Sequence, residues 1–297
     1  MTIIESYKVD QGIIPIRLLD FCLQNFETVK TRAGIKKLIK KGVVKIDGEE
    51  ITGGQWLVAE QTVEIYSGYP SKHKVFELKL DVIFEDDDLA VIYKPAGFEV
   101  SGNKFKTIQN ALVFNLKNSK KKDVLSRPVP VHRLDYPTSG LLICAKTHEA
   151  AVKLGKQFEE RTIKKIYVAI VVGRTEKKGV IENDIDGKKA VTHFKNINTI
   201  SSIKTEHISL LNLYPLTGRT HQLRRHLASI NHPIVGDNLY NTNFPLLKGK
   251  GLFLSAISLS FMHPVTGDKI DVNTDIPHKF VSLMEREKRR FEKLAKL

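Results

Sequence analysis

Apolar and polar residues over the first 67 positions follow the periods of two short helices and a hairpin. Between residues 17 and 26, apolar side chains recur at the three- and four-residue spacing of a helix. A second helix is predicted from Thr31, its N-cap, to Lys41, because its apolar positions share one face and a glycine follows it. The Asp47-Gly48 pair then predicts a hairpin turn, and residues 63–66 a further strand. This part of the chain is therefore predicted to be a small α/β unit.

The rest of the chain alternates short β-prone runs with few helical patterns. A helix is predicted after Thr147, where Ala151, Leu154 and Phe158 would share one face. Strands are predicted where apolar runs end at turn residues, at residues 82–84, 89–93, 141–145, 166–172 and 252–261. Short strands with few helices between them predict an α+β domain built on a large mixed, mainly antiparallel sheet.

These patterns predict two domains joined by a linker. We expect the small domain over residues 1–67, the linker over residues 68–79 and the large domain over residues 80–297. A basic amphipathic helix from Lys279 ends the large domain, with seven basic and three acidic residues. Such a charge run favours a solvated helix face over a specific site.

Composition narrows the range of partners. Lys and Arg number 47 against 33 Asp and Glu, a net charge of +14, which favours a polyanion such as RNA or DNA and then an anionic membrane surface. The N-terminus has no apolar signal-peptide core, and no run has the length of a membrane helix. Cys22 and Cys144 cannot form a disulfide framework or a Cys/His metal set. We therefore expect a cytoplasmic protein, a monomer, without membrane contact or structural metal.

Positive charge is segregated inside the small domain. Residues 1–67 carry nine basic and nine acidic residues, yet the seven basic residues from Lys30 to Lys45 have no acid among them. Most lysine-rich helix faces are simply solvated. Here the basic residues are clustered within a unit of zero net charge, and clustered cations are what contact phosphates. RNA binding and a merely solvated helix face are therefore about equally favoured.

One stretch of the large domain carries the densest signal of catalysis. Val129 and Val131 alternate with polar or proline positions, and a short apolar run begins at Leu141. Between them, residues 136–140 have turn chemistry, with a proline and a glycine. Asp135 thus lies at a turn braced by two strands, a place where catalytic side chains are common. Taken alone, an Asp at this place more often caps its own turn.

Five motifs in order resemble the RluA-type pseudouridine synthases, over about residues 80 to 275. The motifs are Tyr93-Lys94-Pro95-Ala96-Gly97, His132-Arg133-Leu134-Asp135 with Thr138-Ser139-Gly140, residues 165–169, residues 216–224 and residues 232–237. That family isomerises uridine in RNA to pseudouridine by detaching uracil from C1′, rotating it and rejoining it through C5. The resemblance implies an enzyme that needs no cofactor and no metal.

The resemblance also implies roles for particular residues. Asp135 would be the catalytic carboxylate, and Arg219 would pair with it by its guanidinium and offset its desolvation. Tyr167 would pack on the base and be placed to remove the C5 proton. Arg133 would occupy the space of the extruded nucleotide, and Leu223 would touch the uracil. Apart from the resemblance, the helical pattern of residues 222–227 predicts that Leu223 points inward and Arg224 outward. Position 136 is Tyr where the family often has a basic residue, which could alter contacts to neighbouring nucleotides.

The small domain resembles the S4 RNA-binding domain through Arg32, the Leu38-Ile39 pair, Gly42, Val44 and the Asp47-Gly48 turn. The resemblance implies that the basic helix binds RNA. The residues expected to do so are Arg32, Lys36, Lys37, Lys40 and Lys41.

The sequence therefore favours an RNA pseudouridine synthase that modifies a uridine in structured RNA. Since family members with an S4 domain mostly act on large-subunit ribosomal RNA, that RNA is favoured as partner, with a tRNA-directed enzyme as the alternative. A second class is a non-catalytic RNA-binding assembly factor, which the joint presence of Asp135, Tyr167 and Arg219 disfavours. A DNA glycosylase with paired carboxylates is disfavoured because no second acid accompanies Asp135 in the motifs.

Overall fold

A computed structural model of the chain describes residues 2–13, 15–29, 31–51, 54–67, 75–241 and 250–295. The chain divides into two units, Met1–His73 and Lys74–Leu297, which are described separately. Most of the predicted linker, residues 68–74, lies outside the described residues. Phe76 and Leu78, which the sequence placed in the linker, pack against a core cluster of the large unit.

Local signals in the sequence account for most elements of the small unit. The Thr31 side chain accepts a hydrogen bond from the Gly34 amide at the start of the second helix, and Gly42 follows that helix with a φ of +68°. Asp47 and Gly48 have φ values of +52° and +81°, which form the hairpin turn that the sequence predicted. The elements are β1 (Thr2–Lys8), β2 (Ile16–Arg17), α1 (Leu18–Asn25), α2 (Arg32–Lys40), β3 (Val44–Ile46), β4 (Glu49–Glu50), β5 (Trp56–Leu57) and β6 (Thr62–Ser67).

The two helices of the small unit pack their apolar faces on a sheet of order β1-β6-β3-β4. Phe21 and Phe26 are fully or almost fully buried in this core, as is Ile35 on α2. Burial of that face leaves the lysines of α2 on the outside, as the sequence predicted.

The large unit alternates strands and helices in the order that the apolar runs predicted. Its elements are β7 (Asp81–Glu85), β8 (Leu89–Lys94), α3 (Ile108–Asn115), β9 (Val124–Pro130), β10 (Ser139–Thr147), α4 (His148–Glu159), β11 (Lys164–Val172), β12 (Lys178–Ile181), β13 (Thr192–Ser202), β14 (Glu206–Pro215), α5 (Gln222–Ser229), β15 (Leu254–Met262), β16 (Lys269–Asn273) and α6 (His278–Leu294).

The strands of the large unit form one mixed sheet within the described residues. The order is β12-β13-β14-β11-β15-β10-β8-β7, with β16 beside β15 and β9 beside β10. Neighbouring strands are antiparallel except β10 and β15, which are parallel. This architecture confirms the predicted α+β class and its large, mainly antiparallel sheet. The basic C-terminal helix is α6, whose Phe280 and Leu283 are buried in the core.

The parallel pairing requires a glycine at the start of β10. Gly140 lies opposite Ala256 of β15 and has a φ of +120°. A Cβ atom on Gly140 would lie 2.2 Å from the Ala256 carbonyl oxygen, which is closer than any real contact. This close approach of two backbones anchors the chain directly after the turn that carries Asp135.

Among the described residues, no helix combines the length and the apolar character needed to cross a membrane.

Candidate active site

Asp135 lies in the connection between β9 and β10, and a buried lysine holds this connection in place. The Lys94 ammonium donates hydrogen bonds to the carbonyl oxygens of Thr138 at 2.7 Å and Pro95 at 3.0 Å. The Asp135 carbonyl oxygen accepts from the Thr138 amide at 3.0 Å. These bonds tie the backbone that directly follows Asp135 to the end of β8, so its side chain projects from a braced turn.

Lys94 has no exposed surface, and its charge is costly there. Burial lowers the pKa of Lys94 to about 8, although the nearby charge of Asp135 opposes this shift. At neutral pH the lysine is therefore a buried cation whose charge interacts with that of Asp135.

The side chains of Arg224 and His221 face the Asp135 carboxylate. Arg224 Nη1 lies 3.7 Å from one carboxylate oxygen, and His221 Nε2 lies 3.8 Å from the other. Both distances exceed those of an N–H···O hydrogen bond, so these contacts are electrostatic. The carboxylate side chain is 17% exposed, which leaves its oxygens accessible to a ligand.

A second carboxylate fixes the position of Arg224. Arg224 donates from Nε and Nη2 to the two oxygens of Asp237, at 2.7 and 2.9 Å. Asp237 also accepts the amides of Leu239 and Tyr240. Burial alone would raise the pKa of Asp237, but the hydrogen bonds from Arg224 and the two amides outweigh burial and lower it. The same pair holds the pKa of Arg224 above its usual value despite desolvation, so Arg224 is a permanent, immobile cation.

The predicted pairing of Arg219 with Asp135 is not what the structure shows. The Arg219 side chain donates to the Lys189 carbonyl oxygen at 3.2 Å, and its backbone amide donates to Gln222. The cause is local geometry, because Arg219 precedes α5 in an exposed turn, whereas Arg224 lies inside the helix on its buried face. The expectation that Arg224 points outward is wrong for the same reason, since its side chain is 4% exposed.

Tyr167 lies on β11, beside a register irregularity in its pairing with β15. Burial raises the pKa of Tyr167 well above its usual value, and the charge of Asp135 raises it further. The side chain is therefore a neutral phenol at neutral pH. It can donate a hydrogen bond or pack on a ring, whereas a role as base requires that its own proton leaves.

Two cavities meet at Asp135 and share its neighbours Arg133, Leu134, His221 and Arg224. The narrow cavity, about 280 Å³ in volume, is lined by Tyr167, Leu223 and Arg219 among others. The wide cavity, about 600 Å³, is lined by Tyr136 and Leu239 among others. The carboxylate of Asp135 thus stands where two compartments join.

The structure brings most of the predicted site residues of the large unit together. Asp135, Tyr167 and Leu223 line the narrow cavity, and the exposed Arg133 borders both cavities. Arg219 lines the narrow cavity without touching the carboxylate.

The predicted RNA-binding residues of the small unit lie on or directly after α2. Arg32, Lys36, Lys37 and Lys40 are exposed and Lys41 is half-buried. Arg32 pairs with Asp20 of α1 at 2.7 Å, an acid that the linear charge pattern did not connect with it. Lys30 lies outside the described residues.

Sequence reasoning missed Lys94, His221 and Asp237 as parts of the site, although all three lie within motifs that carried the resemblance. His221 has a φ of +54°, which is unusual for a residue other than glycine. Its Nδ1 atom pairs with the Tyr240 hydroxyl at 2.9 Å. The available signal for His221 and Asp237 was that each is a polar, ionisable residue inside one of the motifs that carried the resemblance.

One group of three side chains in the described residues has the spacing of metal ligands, and all three are otherwise engaged. Asp86, Asp88 and His263 offer ligand atoms within 4.8 Å of one another. Asp86 accepts two backbone amides and contacts His263 Nε2 at 3.0 Å, while His263 Nδ1 accepts the amides of Val265 and Thr266. Since both ring nitrogens of the histidine are engaged in hydrogen bonds, this group stabilises turns rather than offering free ligands.

The chain is similar to known proteins over most of its length. The family model of RNA pseudouridylate synthase matches residues 88–229. An uncharacterized RNA pseudouridine synthase of Aquifex aeolicus is 32% identical over 281 residues, which cover 85% of this chain and 88% of that protein. The ribosomal large subunit pseudouridine synthase D of Nitrosomonas europaea is 31% identical over 294 residues, covering 90% of this chain and 83% of that protein.

Solved structures show the same fold. Human RNA pseudouridylate synthase domain containing 1 superposes with a TM-score of 0.56 at 24% identity, covering 69% of this chain and 85% of that one. Human RNA pseudouridylate synthase domain containing 4 gives a TM-score of 0.54 at 25% identity, covering 69% and 92% of the two chains.

The fold is thus that of the RNA pseudouridine synthases, which are isomerases. The chain belongs to the RluA-type family of RNA pseudouridine synthases.

Proposed function

We propose that Asp135 is the catalytic carboxylate of this pseudouridine synthase. The observation that carries the proposal is its position, because an accessible carboxylate flanked by Arg224 and His221 stands where two cavities meet. A carboxylate so placed would lie beside the sugar of a nucleotide whose base enters one of the cavities.

The reaction explains why a carboxylate is needed there. The N1–C1′ bond of uridine breaks, the released uracil turns, and a C5–C1′ bond forms while C5 loses a proton and N1 gains one. No atom is added or lost, and no oxidant or reductant is required. Positive charge develops at C1′ when the glycosidic bond breaks, so Asp135 would stabilise it as nucleophile or as electrostatic partner. The fixed positive charge of Arg224 would face the carboxylate of Asp135, as that of Arg219 was expected to do.

We further propose that the uracil occupies the narrow cavity against Tyr167 and Leu223. Its volume of about 280 Å³ and its aromatic and aliphatic walls suit a flipped pyrimidine. Tyr167 would pack on the ring as a neutral phenol, and its own proton would have to leave before it could accept the C5 proton. Arg219 and Arg133 border this cavity and would contact phosphates of the RNA strand from which the uridine is flipped.

We propose large-subunit ribosomal RNA as the substrate, with tRNA as the alternative. The support is that several relatives that cover most of this chain carry the name ribosomal large subunit pseudouridine synthase D. The small unit would be an S4-like RNA-binding domain that adds affinity for structured RNA through α2.

Mapping of pseudouridine across the transcriptome tests this proposal. We expect one or more pseudouridines in large-subunit ribosomal RNA to vanish when the gene is deleted, and to return with the wild-type gene but not with Asp135→Asn. Loss of pseudouridine from tRNA alone would establish the alternative substrate. Restoration by the Asp135→Asn gene would overturn the catalytic assignment.

A further inference from the structure

Tyr136 combines a fixed backbone with an exposed ring. Its carbonyl oxygen accepts a hydrogen bond from the Gly97 amide at 2.8 Å and lies 3.4 Å from the Lys94 ammonium. Pro137 follows it and restricts its backbone further. The side chain is nevertheless 58% exposed. An uncovered aromatic ring on a fixed backbone can serve as a stacking surface, because little backbone freedom is lost when a ligand binds.

Leu239 provides a second exposed apolar side chain along the same cavity. It is 60% exposed, although its backbone amide donates to Asp237 at 2.9 Å. Both side chains line the wide cavity of about 600 Å³ beside Asp135. Ligand cavities are lined mainly by apolar and aromatic side chains, and Tyr136 and Leu239 give the wide cavity this character.

Two charged pairs along the wide cavity are already formed, and the exposed Arg133 stands where this cavity joins the narrow one. Arg224 and Asp237 form the buried bidentate pair, and Glu99 forms an ion pair with Lys104 at 2.7 Å. Away from Arg133, a wall with paired charges and two exposed apolar side chains suits an uncharged planar group better than a phosphate.

We propose that the wide cavity is a second base-binding subsite, in which Tyr136 stacks on the base of the nucleotide next to the target uridine. The inference rests on the proposed function, because the uridine must place its base in the narrow cavity and its sugar at Asp135. The two cavities meet at that residue, so the adjoining nucleotide of the same strand enters the wide cavity. Stacking tolerates every base, so this subsite selects an unpaired neighbour rather than a particular sequence.

The test crosses protein variants with altered RNA. A stem-loop copied from the mapped uridine is compared with two versions in which the nucleotide 5′ or 3′ of the target is abasic. On the intact stem-loop, Tyr136→Ala should lower kcat/KM by about 5- to 30-fold, mainly through KM, and Tyr136→Phe should restore it. On one of the two abasic versions, Tyr136→Ala and wild type should be equal. An equal penalty on all three RNAs, or no penalty on the intact one, overturns the proposal.

A matched control and a second measurement keep the result unambiguous. Phe114 is 52% exposed on α3 and lines neither cavity, so Phe114→Ala should behave as wild type on every RNA.

Stem-loops with the fluorescent base 2-aminopurine at the 5′ or 3′ neighbouring position, bound to Asp135→Asn, report stacking without turnover. Quenching that disappears in Asp135→Asn/Tyr136→Ala supports the subsite, and quenching that persists overturns it. If wild type forms no pseudouridine while the quenching depends on Tyr136, the proposed function fails and the subsite stands.

Discussion

The cations of the small unit and those around Asp135 are held in opposite ways. On α2, Lys36, Lys37 and Lys40 project into solvent, and Arg32 makes only a surface ion pair with Asp20. Around Asp135, the Arg224 side chain is 4% exposed and Lys94 is fully buried, each with several fixed partners.

This difference indicates how much a single charge contributes in each of the two regions. Exposed ion pairs contribute little each, typically about 0–1 kcal/mol, so a surface of this kind acts through the number of its charges. Removal of one partner of a buried pair costs about 3–5 kcal/mol, since the remaining charge is left unpaired. We therefore expect single substitutions to matter around Asp135 and only combined changes to matter on α2.

The largest effect is expected for Asp135→Asn. The carboxylate that would stabilise C1′ disappears, while the amide keeps the shape and the phosphate contacts elsewhere are unchanged. Purified Asp135→Asn should form no pseudouridine above a no-enzyme control and should bind RNA with nearly wild-type affinity. Measurable turnover would show that the chemistry does not depend on this carboxylate.

Replacement of Arg224 should lower the stability of the protein far more than replacement of Arg219. Arg224→Ala leaves the fully buried Asp237 carboxylate without its partner, so the free energy of unfolding should fall by about 3–5 kcal/mol. Arg219→Ala removes one half-buried side chain that contacts a carbonyl, so it should cost about 1 kcal/mol or less. Urea denaturation of both variants checks this, and equal costs would mean that Arg224 is not the buried partner.

His132 should make stability depend on pH below neutrality. Its Nε2 accepts the Ile143 amide at 3.0 Å and its ring stacks on Phe158. Burial, followed by the charge of Lys165, lowers the pKa of His132 to about 3. The unfolded chain therefore binds the proton first, so stability falls as pH drops from about 6.5 towards 3, by at most about 1.4 kcal/mol per pH unit from this group.

Replacement of His132 isolates its share of that pH dependence. In His132→Gln the slope between pH 6.5 and 4 should become shallower, whereas replacement of the exposed His193 by Gln should leave it unchanged. Chemical denaturation at several pH values gives both slopes. Identical slopes for His132→Gln and wild type would assign the acid sensitivity to other groups.

The smallest single-residue effects are expected on α2. Only removal of the whole small unit should change RNA affinity measurably. Deletion of residues 1–67 removes nine basic and nine acidic residues, so a model based on total charge predicts no change in RNA affinity. If the α2 cluster binds RNA, affinity for a large structured RNA should fall and the slope of log K against log salt should become shallower, by about 0.7–0.9 per lost phosphate contact. Activity on a short stem-loop should persist, and an unchanged salt slope would identify the cluster as a solvated face.

The features predicted well from the sequence are those whose causes lie within a few residues. Thr31 and Thr147 cap their helices through their own side chains, and Asp47-Gly48 forms its turn with positive φ values. The apolar runs that became β8, β10 and β11 were long enough to predict strands. By contrast, β1 is largely exposed and has no alternating pattern, so nothing local indicated it.

The features that were missed depend on distant partners. A helical period places Arg224 on one face or another, but only Asp237 in a later loop makes its burial possible. Likewise, a lysine in a strand suggests exposure, whereas Lys94 is buried because carbonyl oxygens from a turn more than forty residues later surround it. Family resemblance located Asp135 in the sequence, yet it could not tell which of two nearby arginines contacts it.

The pairing of Gly140 with Ala256 also bears on the order in which this enzyme can become active. The partners Ser139 and Ser255 in that pairing are 116 residues apart in sequence, and such distant contacts form late because loop closure costs entropy. The turn that carries Asp135 is made early during synthesis on the ribosome, but the strand that braces it emerges much later. A nascent chain that ends before β15 holds every proposed catalytic residue and still lacks the strand that fixes them in register.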